Sequence, residues 1–198
     1  MDLDAARAAL ESVPADHEWS AWAWYWQELF EGEHDAALAR LETAADGWIR
    51  IKIVARPTAL LAALVHDLRG DHAEAAAAYG EAIRALENAV REEPADPRLY
   101  SSLGIARASV GRTDESIAAG RRAVDLFPMS KDAFYGVPQV LDLAHIYLLA
   151  GQTEAALDQL EYLSRVPSWI SPAWLAVDPR WARLEGHERF EALLAGEG

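Results

Sequence analysis

The sequence contains no cysteine, and this absence removes several kinds of chemistry at once. Without thiols there is no disulfide, no thiolate metal site and no cysteine nucleophile. The chain also lacks the uninterrupted apolar run of about 18 residues that a membrane-spanning helix needs. Its first residues lack the basic and apolar segments of a signal peptide. These absences predict a cytoplasmic protein of bacterial type without a membrane span.

Basic residues are in short supply, with 18 Lys and Arg against 32 Asp and Glu and a formal charge of −14. Duplex DNA and anionic membranes both need Lys and Arg to neutralise phosphate, so the composition argues against either as a partner. Residues 1–99 carry 19 acids and 9 bases, whereas residues 100–198 carry 13 and 9. Two interpretations stay open: the acids solvate helix surfaces, or they favour a basic peptide as partner.

Motifs for catalysis, phosphate binding and metal binding are also missing. No G-x-S-x-G occurs, and the glycine spacing between Gly104 and Thr113 does not fit a P-loop, where Arg112 stands in place of lysine. Six histidines are present, and the closest group of metal-ligand types consists of His66, Asp67, Asp71 and His72. That group lacks the H-x-x-x-H spacing of a metal site on a helix. We therefore predict that the protein is not an enzyme, with no catalytic residue, no metal and no cofactor.

What the sequence does contain is helix-forming residues. Hydrophobic residues make up 52% of a chain of 198 residues, enough for the core of a single domain. Alanine, leucine, glutamate and arginine are abundant, and Val, Ile and Thr seldom cluster as they do in strands. The composition predicts an all-α protein.

An internal repeat organises the chain. Gly32, Gly70, Gly111 and Gly151 recur at intervals of 38, 41 and 40 residues. A small residue stands five positions after each glycine: Ala37, Ala75, Ser116 and Ala156. An acid follows each within one turn: Asp35, Glu74, Asp114 and Glu154. This pattern predicts four helical hairpins, each with a left-handed glycine that ends the first helix, so we expect a positive φ at Gly111.

The third repeat resembles a known family. Between Pro97 and Pro128 it carries Tyr100, Leu103, Gly104, Gly111, Ser116, Ala123 and Pro128, and this spacing is similar to that of the tetratricopeptide repeats. The resemblance implies a right-handed α-solenoid of four hairpins with capping helices at both ends. The C-terminal residues 178–181 (DPRW) and 188–194 (ERFEALL) resemble the end of repeat regions attached to bacterial serine/threonine kinases and adenylate cyclases.

These patterns predict one domain over residues 1–198 with six parts: an N-terminal cap helix at 1–13, repeat units at 18–46, 58–93, 97–128 and 138–166, and a C-terminal cap at 168–198. In the first unit, the second helix is expected to end at Ala45. In the C-terminal cap we expect two short helices, the first capped by Asp178 and continued by Pro179.

Two connections are less regular. Residues 48–56 alternate apolar and basic side chains, which is a strand signal, but no partner strand is evident. We interpret this segment as an extended connector or a strained first turn of the next helix. Residues 129–137 exceed the usual turn of the family, and we expect a protruding loop that presents Phe134 and Tyr135.

Tryptophans dominate the candidate binding residues. Trp19, Trp22 and Trp26 fall on one side of the first repeat helix, while Leu60 and Leu64 occupy equivalent positions in the second repeat. They line a concave groove in one interpretation and belong to the core in the other. The remaining candidates for partner contact are Arg98, Phe134, Tyr135 and His145.

The predicted function is protein–protein interaction, with a groove that holds a peptide or a partner domain in bacterial signalling or complex assembly. Its partner is a protein or peptide, and the acidic charge favours a basic one. The carboxylate clamp that some family members use for acidic C-termini does not fit, because apolar residues stand at its positions. Two alternatives stay open: a structural protein that self-associates into a homo-oligomer, and a regulatory domain that senses a small ligand.

Overall fold

The computed structural model describes residues 2–44 and 46–196, and helices dominate it. About 70% of the residues are helical and 4% lie in strands. The predicted helical class is therefore confirmed, with one short sheet added to it. Among the described residues, no helix is both long and apolar enough to cross a lipid bilayer.

Each predicted hinge glycine lies between two consecutive helices of the chain. The first part contains α1 (Leu3–Glu11), α2 (Ser20–Phe30), α3 (His34–Glu42), β1 (Trp48–Ile51), β2 (Val54–Pro57), α4 (Thr58–Arg69) and α5 (His72–Glu92). The second part contains α6 (Pro97–Ser109), α7 (Thr113–Leu126), α8 (Ala133–Leu149), α9 (Thr153–Arg165), α10 (Pro172–Leu175), a 3-10 helix (Pro179–Leu184) and α11 (Glu188–Leu194).

The chain divides into two compact units, Met1–Ala82 and Ile83–Gly198, and the boundary falls within α5. In the first unit α2 packs against α3, and α3 packs against α4. In the second unit α6 packs against α7 and α8, and α8 packs against α9. The expectation of a single domain stays a prediction.

Each of the four predicted hinge glycines ends a helix in the same way. Their φ angles are 76° at Gly32, 79° at Gly70, 79° at Gly111 and 75° at Gly151, so the positive φ expected at Gly111 is confirmed. At the third hinge the amide of Gly111 donates to the Ala108 carbonyl over 3.0 Å, and the amide of Arg112 donates to the Arg107 carbonyl over 2.9 Å. The other three hinges repeat this pair of bonds. This is the Schellman motif, which satisfies carbonyls left open at a helix end.

The segment after α3 is a β-hairpin, and the prediction of a connector is wrong. Strands β1 and β2 pair in antiparallel register, with Trp48 opposite Pro57 and Ile51 opposite Val54. The strand finds its partner within the same short segment because Lys52 and Ile53 form a two-residue turn. The end predicted for the preceding helix, Ala45, lies outside the described residues, and α3 itself ends at Glu42.

The hairpin helps to form the core of the first unit. Ile49 from β1 joins a buried cluster with residues of α2, α3 and α4; the other members are Tyr25, Trp26, Leu29, Ala37, Leu41, Leu61 and Val65. The Tyr25 hydroxyl donates to the Leu61 carbonyl over 2.9 Å, which ties α2 to α4. The hairpin therefore covers part of this core and links two repeats.

Helix α1 has no buried residue and is held on α2 by polar contacts. The Gln27 side-chain amide donates to the Leu3 carbonyl over 2.8 Å. Arg7 forms an ion pair with Glu31, and its guanidinium carbon lies 5.4 Å from the Trp24 ring centroid. The hydrogen bond from Arg7 lowers the pKa of the Glu31 carboxyl below its usual value. A capping position for α1, as predicted, is consistent with these contacts.

Two glycines let three helices of the second unit approach closely. Gly104 lies within α6 and Gly120 within α7, and the side chain of Ile146 from α8 lies against both. A Cβ added at Gly104 would lie 2.5 Å from Ile146 Cδ1 and 3.0 Å from the Ser116 carbonyl oxygen. Such spacing is shorter than carbon contact distances, so a larger residue does not fit without movement.

The loop predicted over residues 129–137 is wrong from Ala133 onwards. Helix α8 begins at Ala133, one turn before the predicted start, and Pro138 lies inside it. The carboxylate of Asp132 accepts a hydrogen bond from the Tyr135 amide over 3.1 Å and so caps the helix. The turn between α7 and α8 is accordingly short.

The C-terminal cap holds three short helices where two are expected. Asp178 caps the 3-10 helix as predicted, because its carboxylate accepts a hydrogen bond from the Arg180 amide over 3.0 Å. Helix α10 precedes this turn, and α11 follows it and packs against α9 and α10.

Candidate protein-binding surface

The tryptophan groove predicted in the first unit is a core instead. Trp26 is 8% exposed and Leu60 is 3% exposed, so neither offers surface to a partner. Trp22 and Leu64 are half-buried and pack against the cluster that contains Trp26. The assignment of Trp26 and Leu60 to an open groove is therefore corrected in favour of packing, and for the half-buried Trp22 and Leu64 it stays a prediction.

The β-hairpin explains this burial. Its Ile49 packs in the same cluster as Trp26, and the Arg56 guanidinium carbon of β2 lies 5.3 Å from the Trp22 ring centroid. The rings of Trp22 and Trp26 meet edge to face with centroids 5.5 Å apart. Trp19 precedes α2, is half-buried, and donates its indole N–H to Glu18 over 3.1 Å.

The candidates in the second unit have different surroundings. His145 is 5% exposed, with its ring centroid 5.8 Å from that of Trp181, so a direct partner contact through His145 is corrected to a packing role. Arg98 is half-buried, and a hydrogen bond to Asp96 raises its pKa. His145 is therefore buried away from the surface, and Arg98 is held in an ion pair with Asp96.

Phe134 is an exposed member of the predicted set, and Tyr135 lies beside it. Phe134 is 53% exposed, whereas Tyr135 is half-buried. Their ring centroids lie 5.3 Å apart, and the ring centroids of Phe127 and Tyr135 lie 6.4 Å apart. The sequence placed both aromatics on a loop, but the first turns of α8 present them.

An open cleft with a volume of about 410 Å³ lies between α3, α4 and α5 in the first unit. Its walls are formed by apolar and small side chains together with a few polar ones: Leu38, Leu41, Glu42, Thr58, Ala59, Ala62, His66, Ala78 and Glu81. Alanines at Ala59, Ala62 and Ala78 leave the space between the three helices open, because their side chains end at Cβ. The cleft therefore offers an apolar floor to another chain.

The surroundings of the cleft are acidic. Glu42 and Glu81 are both exposed members of its lining. Arg69, on the last turn of α4, is engaged by Asp35 over 2.6 Å and by Asp71 over 3.0 Å. Residues 1–82 carry 15 acids and 6 bases, a formal charge of −9. The field of this unit therefore attracts cationic groups.

The repeat pattern does not indicate this cleft, because it points to different alanines on the same helices. Ala75, which follows the second hinge by five residues, is 2% exposed and packs in the interior. Ala78 lies one turn further along α5 and is half-buried in the cleft wall. The signal visible in the sequence is an alanine followed three residues later by a glutamate, as Ala78 is by Glu81, one turn along the same helix face from the repeat position.

Other kinds of site receive no support from the described residues. Among residues 2–44 and 46–196, no group of three or more His, Cys, Asp or Glu side chains comes together to hold a metal ion. No protein-family model matches the chain, and no curated protein matches it. The resemblance to tetratricopeptide repeats stays a prediction.

Proposed function

We propose that the chain is a protein-interaction module and that its hairpins form a tetratricopeptide-like α-solenoid. The repeated Schellman hinges support the repeat, because four sequence-separated turns adopt one geometry. The cleft between α3, α4 and α5 is the partner site in this proposal. Its partner is a protein segment with apolar side chains that contact the floor and Lys or Arg side chains that reach the acidic edge.

The acid-edged apolar cleft is the observation that carries this proposal. A volume of about 410 Å³ accommodates a few side chains rather than a whole domain. Burial of apolar groups stabilises such a complex at about 25 cal/mol per Å², while Glu42 and Glu81 contribute chiefly to orientation and association rate. We therefore expect affinity that weakens as salt screens the acids.

The test uses a library of displayed peptides selected against the full chain, followed by fluorescence anisotropy with the enriched peptides. Replacing Ala62 with Phe fills the cleft and is expected to weaken binding at least tenfold. Replacing Ala77, an exposed alanine on α5, with Phe provides the matched control and is expected to leave binding unchanged. Circular dichroism verifies that both variants are folded.

Two outcomes contradict the proposal: enriched peptides that bind the Ala62→Phe variant as tightly as the wild type, or enriched peptides without basic residues. Charge has its own variant, since Glu42→Gln with Glu81→Gln is expected to slow association and to flatten the salt dependence. Light scattering on the same samples tests the alternative of self-association. A molar mass that stays that of a monomer excludes this alternative.

A further inference from the structure

A small cavity lies in the C-terminal cap of the second unit. Its volume is about 110 Å³, and residues of α9, α10 and α11 contribute to its walls. We call it the cap cavity, and its lining includes Leu160, Ser164, Ile170, Ser171, Leu175 and Leu193. The three leucines are no more than 4% exposed, so each of the three helices contributes a buried apolar side chain.

Ion pairs hold one wall of the cap cavity in place. Arg189 on α11 lies within hydrogen-bond distance of three carboxylates on α9: Glu154 at 2.5 Å, Asp158 at 2.7 Å and Glu161 at 2.7 Å. These contacts fix α11 on α9, and Leu193 on α11 keeps its place in the wall. The cap cavity is therefore formed before a ligand arrives, which lowers the cost of binding.

The lining selects against charged ligands. In the part of the chain that the structure describes, the side chains of the lining are aliphatic apart from Ser164 and Ser171, and none is charged. An ion placed there would lose its hydration without gaining a group of opposite charge. A neutral molecule with an apolar body loses little hydration and gains from burial.

The two serines offer a hydrogen-bond acceptor and a hydrogen-bond donor. Ser164 Oγ donates to the Glu161 carbonyl over 2.8 Å, so this oxygen can still accept a hydrogen bond. Ser171 Oγ accepts from the Trp174 amide over 3.2 Å, so this hydroxyl can still donate its hydrogen. Both serines are exposed, whereas the leucines of the lining are buried. A hydroxyl group is both donor and acceptor, and it therefore matches either serine at the mouth.

The volume limits the ligand to a few heavy atoms. An apolar cavity of about 150 Å³ accommodates benzene, so one of about 110 Å³ accommodates about four or five non-hydrogen atoms. A chain of four carbons with one hydroxyl group meets this limit.

We propose that the cap cavity is a binding site for a small neutral alcohol. The hydroxyl group of the ligand bonds to Ser164 or Ser171, and its alkyl chain packs against the buried leucines. Binding stabilises the folded cap by mass action. This site goes beyond the proposed protein-binding function and does not depend on it, because none of its residues belongs to the cleft of the first unit.

The test titrates linear alcohols into the full, isotope-labelled chain and follows the amide resonances of Ser164, Ile170 and Leu193 by NMR. From ethanol to n-butanol we expect the dissociation constant to fall about fourfold with each added CH₂ group, as burial of that group predicts. Beyond n-butanol the cavity is filled, and n-hexanol should gain little further affinity. An affinity that rises at the same rate up to n-hexanol indicates partition onto apolar surface and overturns the proposal.

Three variants test the location and the hydrogen bond. Ser164→Phe fills the mouth of the cavity, and we expect it to bind n-butanol at least tenfold more weakly. Arg165→Phe is the matched control and should bind like the wild type, because Arg165 is exposed beside Ser164 and does not line the cavity. Ser164→Ala removes the acceptor without filling the cavity, and we expect binding about fivefold weaker.

Circular dichroism verifies the folding of each variant, and the alcohol series on the wild-type chain needs no variant. Propanoate has as many non-hydrogen atoms as n-butanol but carries a charge. Propanoate that binds as tightly as n-butanol overturns the neutral class of ligand. Equal binding of n-butanol to Ser164→Phe and to the wild type overturns the location, and equal binding to Ser164→Ala overturns the role of that hydroxyl.

Discussion

Replacing Gly104 or Gly120 with alanine tests whether α6, α7 and α8 require glycine for their close packing. Within a helix the change from glycine to alanine favours folding by about 1 kcal/mol. Overpacking opposes this gain, typically by about 1 to 3 kcal/mol. The neighbours of the added Cβ decide which effect is larger at each position.

At Gly104 the neighbours include main-chain atoms. The added Cβ would lie 3.0 Å from the Ser116 carbonyl oxygen and 3.2 Å from the Gly120 nitrogen, as well as 2.5 Å from Ile146 Cδ1. Main-chain atoms of α7 cannot move without shifting the helix. We expect Gly104→Ala to lose about 2 kcal/mol of unfolding free energy, because main-chain neighbours put the overpacking cost at the upper end of its range, about 3 kcal/mol, against a gain in helix propensity of about 1 kcal/mol.

At Gly120 the close neighbours are side-chain ends. The added Cβ would lie 2.7 Å from Ile146 Cδ1 and 2.9 Å from Leu143 Cδ1, and such atoms can rotate away. We expect Gly120→Ala to lose less than about 1 kcal/mol, because the overpacking term is relieved. Shortening Ile146 to valine removes the nearest atom at a cost of about 1 kcal/mol on its own.

The double variants separate the two causes. Adding Gly120→Ala to the Ile146→Val variant should raise its stability, since Ile146 Cδ1 is then absent, Leu143 Cδ1 can rotate away, and the helix-propensity gain of about 1 kcal/mol remains. Adding Gly104→Ala to the same variant should lower it, because the Ser116 carbonyl oxygen remains. Urea unfolding followed by circular dichroism measures all five variants. Two results refute the reasoning. One is a Gly104→Ala chain as stable as the wild type, and the other is a chain with both Gly104→Ala and Ile146→Val that is as stable as the Ile146→Val chain.

Three further outcomes follow from single contacts. Gly111→Ala should lose about 1 kcal/mol in urea unfolding, because φ is 79° while no atom crowds the added Cβ. Trp26→Ala should lose about 3 to 5 kcal/mol as a core residue and leave peptide affinity unchanged once folded. Since Arg7 lowers the folded pKa of Glu31, that carboxyl stabilises the fold above its unfolded pKa of about 4.3 and ceases to do so as pH falls through the folded value. The stability difference between wild type and Glu31→Gln should therefore shrink in that acidic range, and a difference that persists there argues against the pair.

Local signals explain what the sequence predicts well. Glycine at Gly111 predicts a left-handed residue because few other residues tolerate that backbone, and the four hinges follow from the same argument. Helix α4 begins and ends where the sequence places it, at Thr58 and Arg69, because Pro57 and Gly70 stand directly outside it. Such signals depend only on neighbours in the chain.

The wrong predictions involve ambiguous local signals. Lys52 and Ile53 turn the β-hairpin although neither is a residue that two-residue turns favour, and both keep negative φ. Pro138 suggests a helix start, but Asp132 caps the helix a turn earlier and Pro138 is accommodated within it. In each case a second set of contacts decides between two local possibilities.

The candidate site could be predicted only in part, because burial depends on what covers a side chain. Trp26 has the composition of a binding residue, yet packing with Ile49 of the hairpin makes it part of the core. The spacing of Gln139, Asp142 and His145 is visible in the sequence, but only the fold shows that Arg180 of the C-terminal cap lies beside Asp142. Sequence patterns locate helix faces, and only the fold shows which faces meet.

The base of the β-hairpin has a consequence for how this chain can vary. The Gly47 carbonyl accepts the Thr58 amide over 2.8 Å and the Thr58 hydroxyl over 3.2 Å, so the chain enters and leaves the hairpin at one closed point. A segment whose two ends are bonded to each other can change in length at its tip without altering the distance that the flanking helices must span. Residues inserted next to Lys52, which is exposed, would therefore leave the contact between α3 and α4 unchanged, whereas Ile53 on the other side of the turn is buried and has to keep its place.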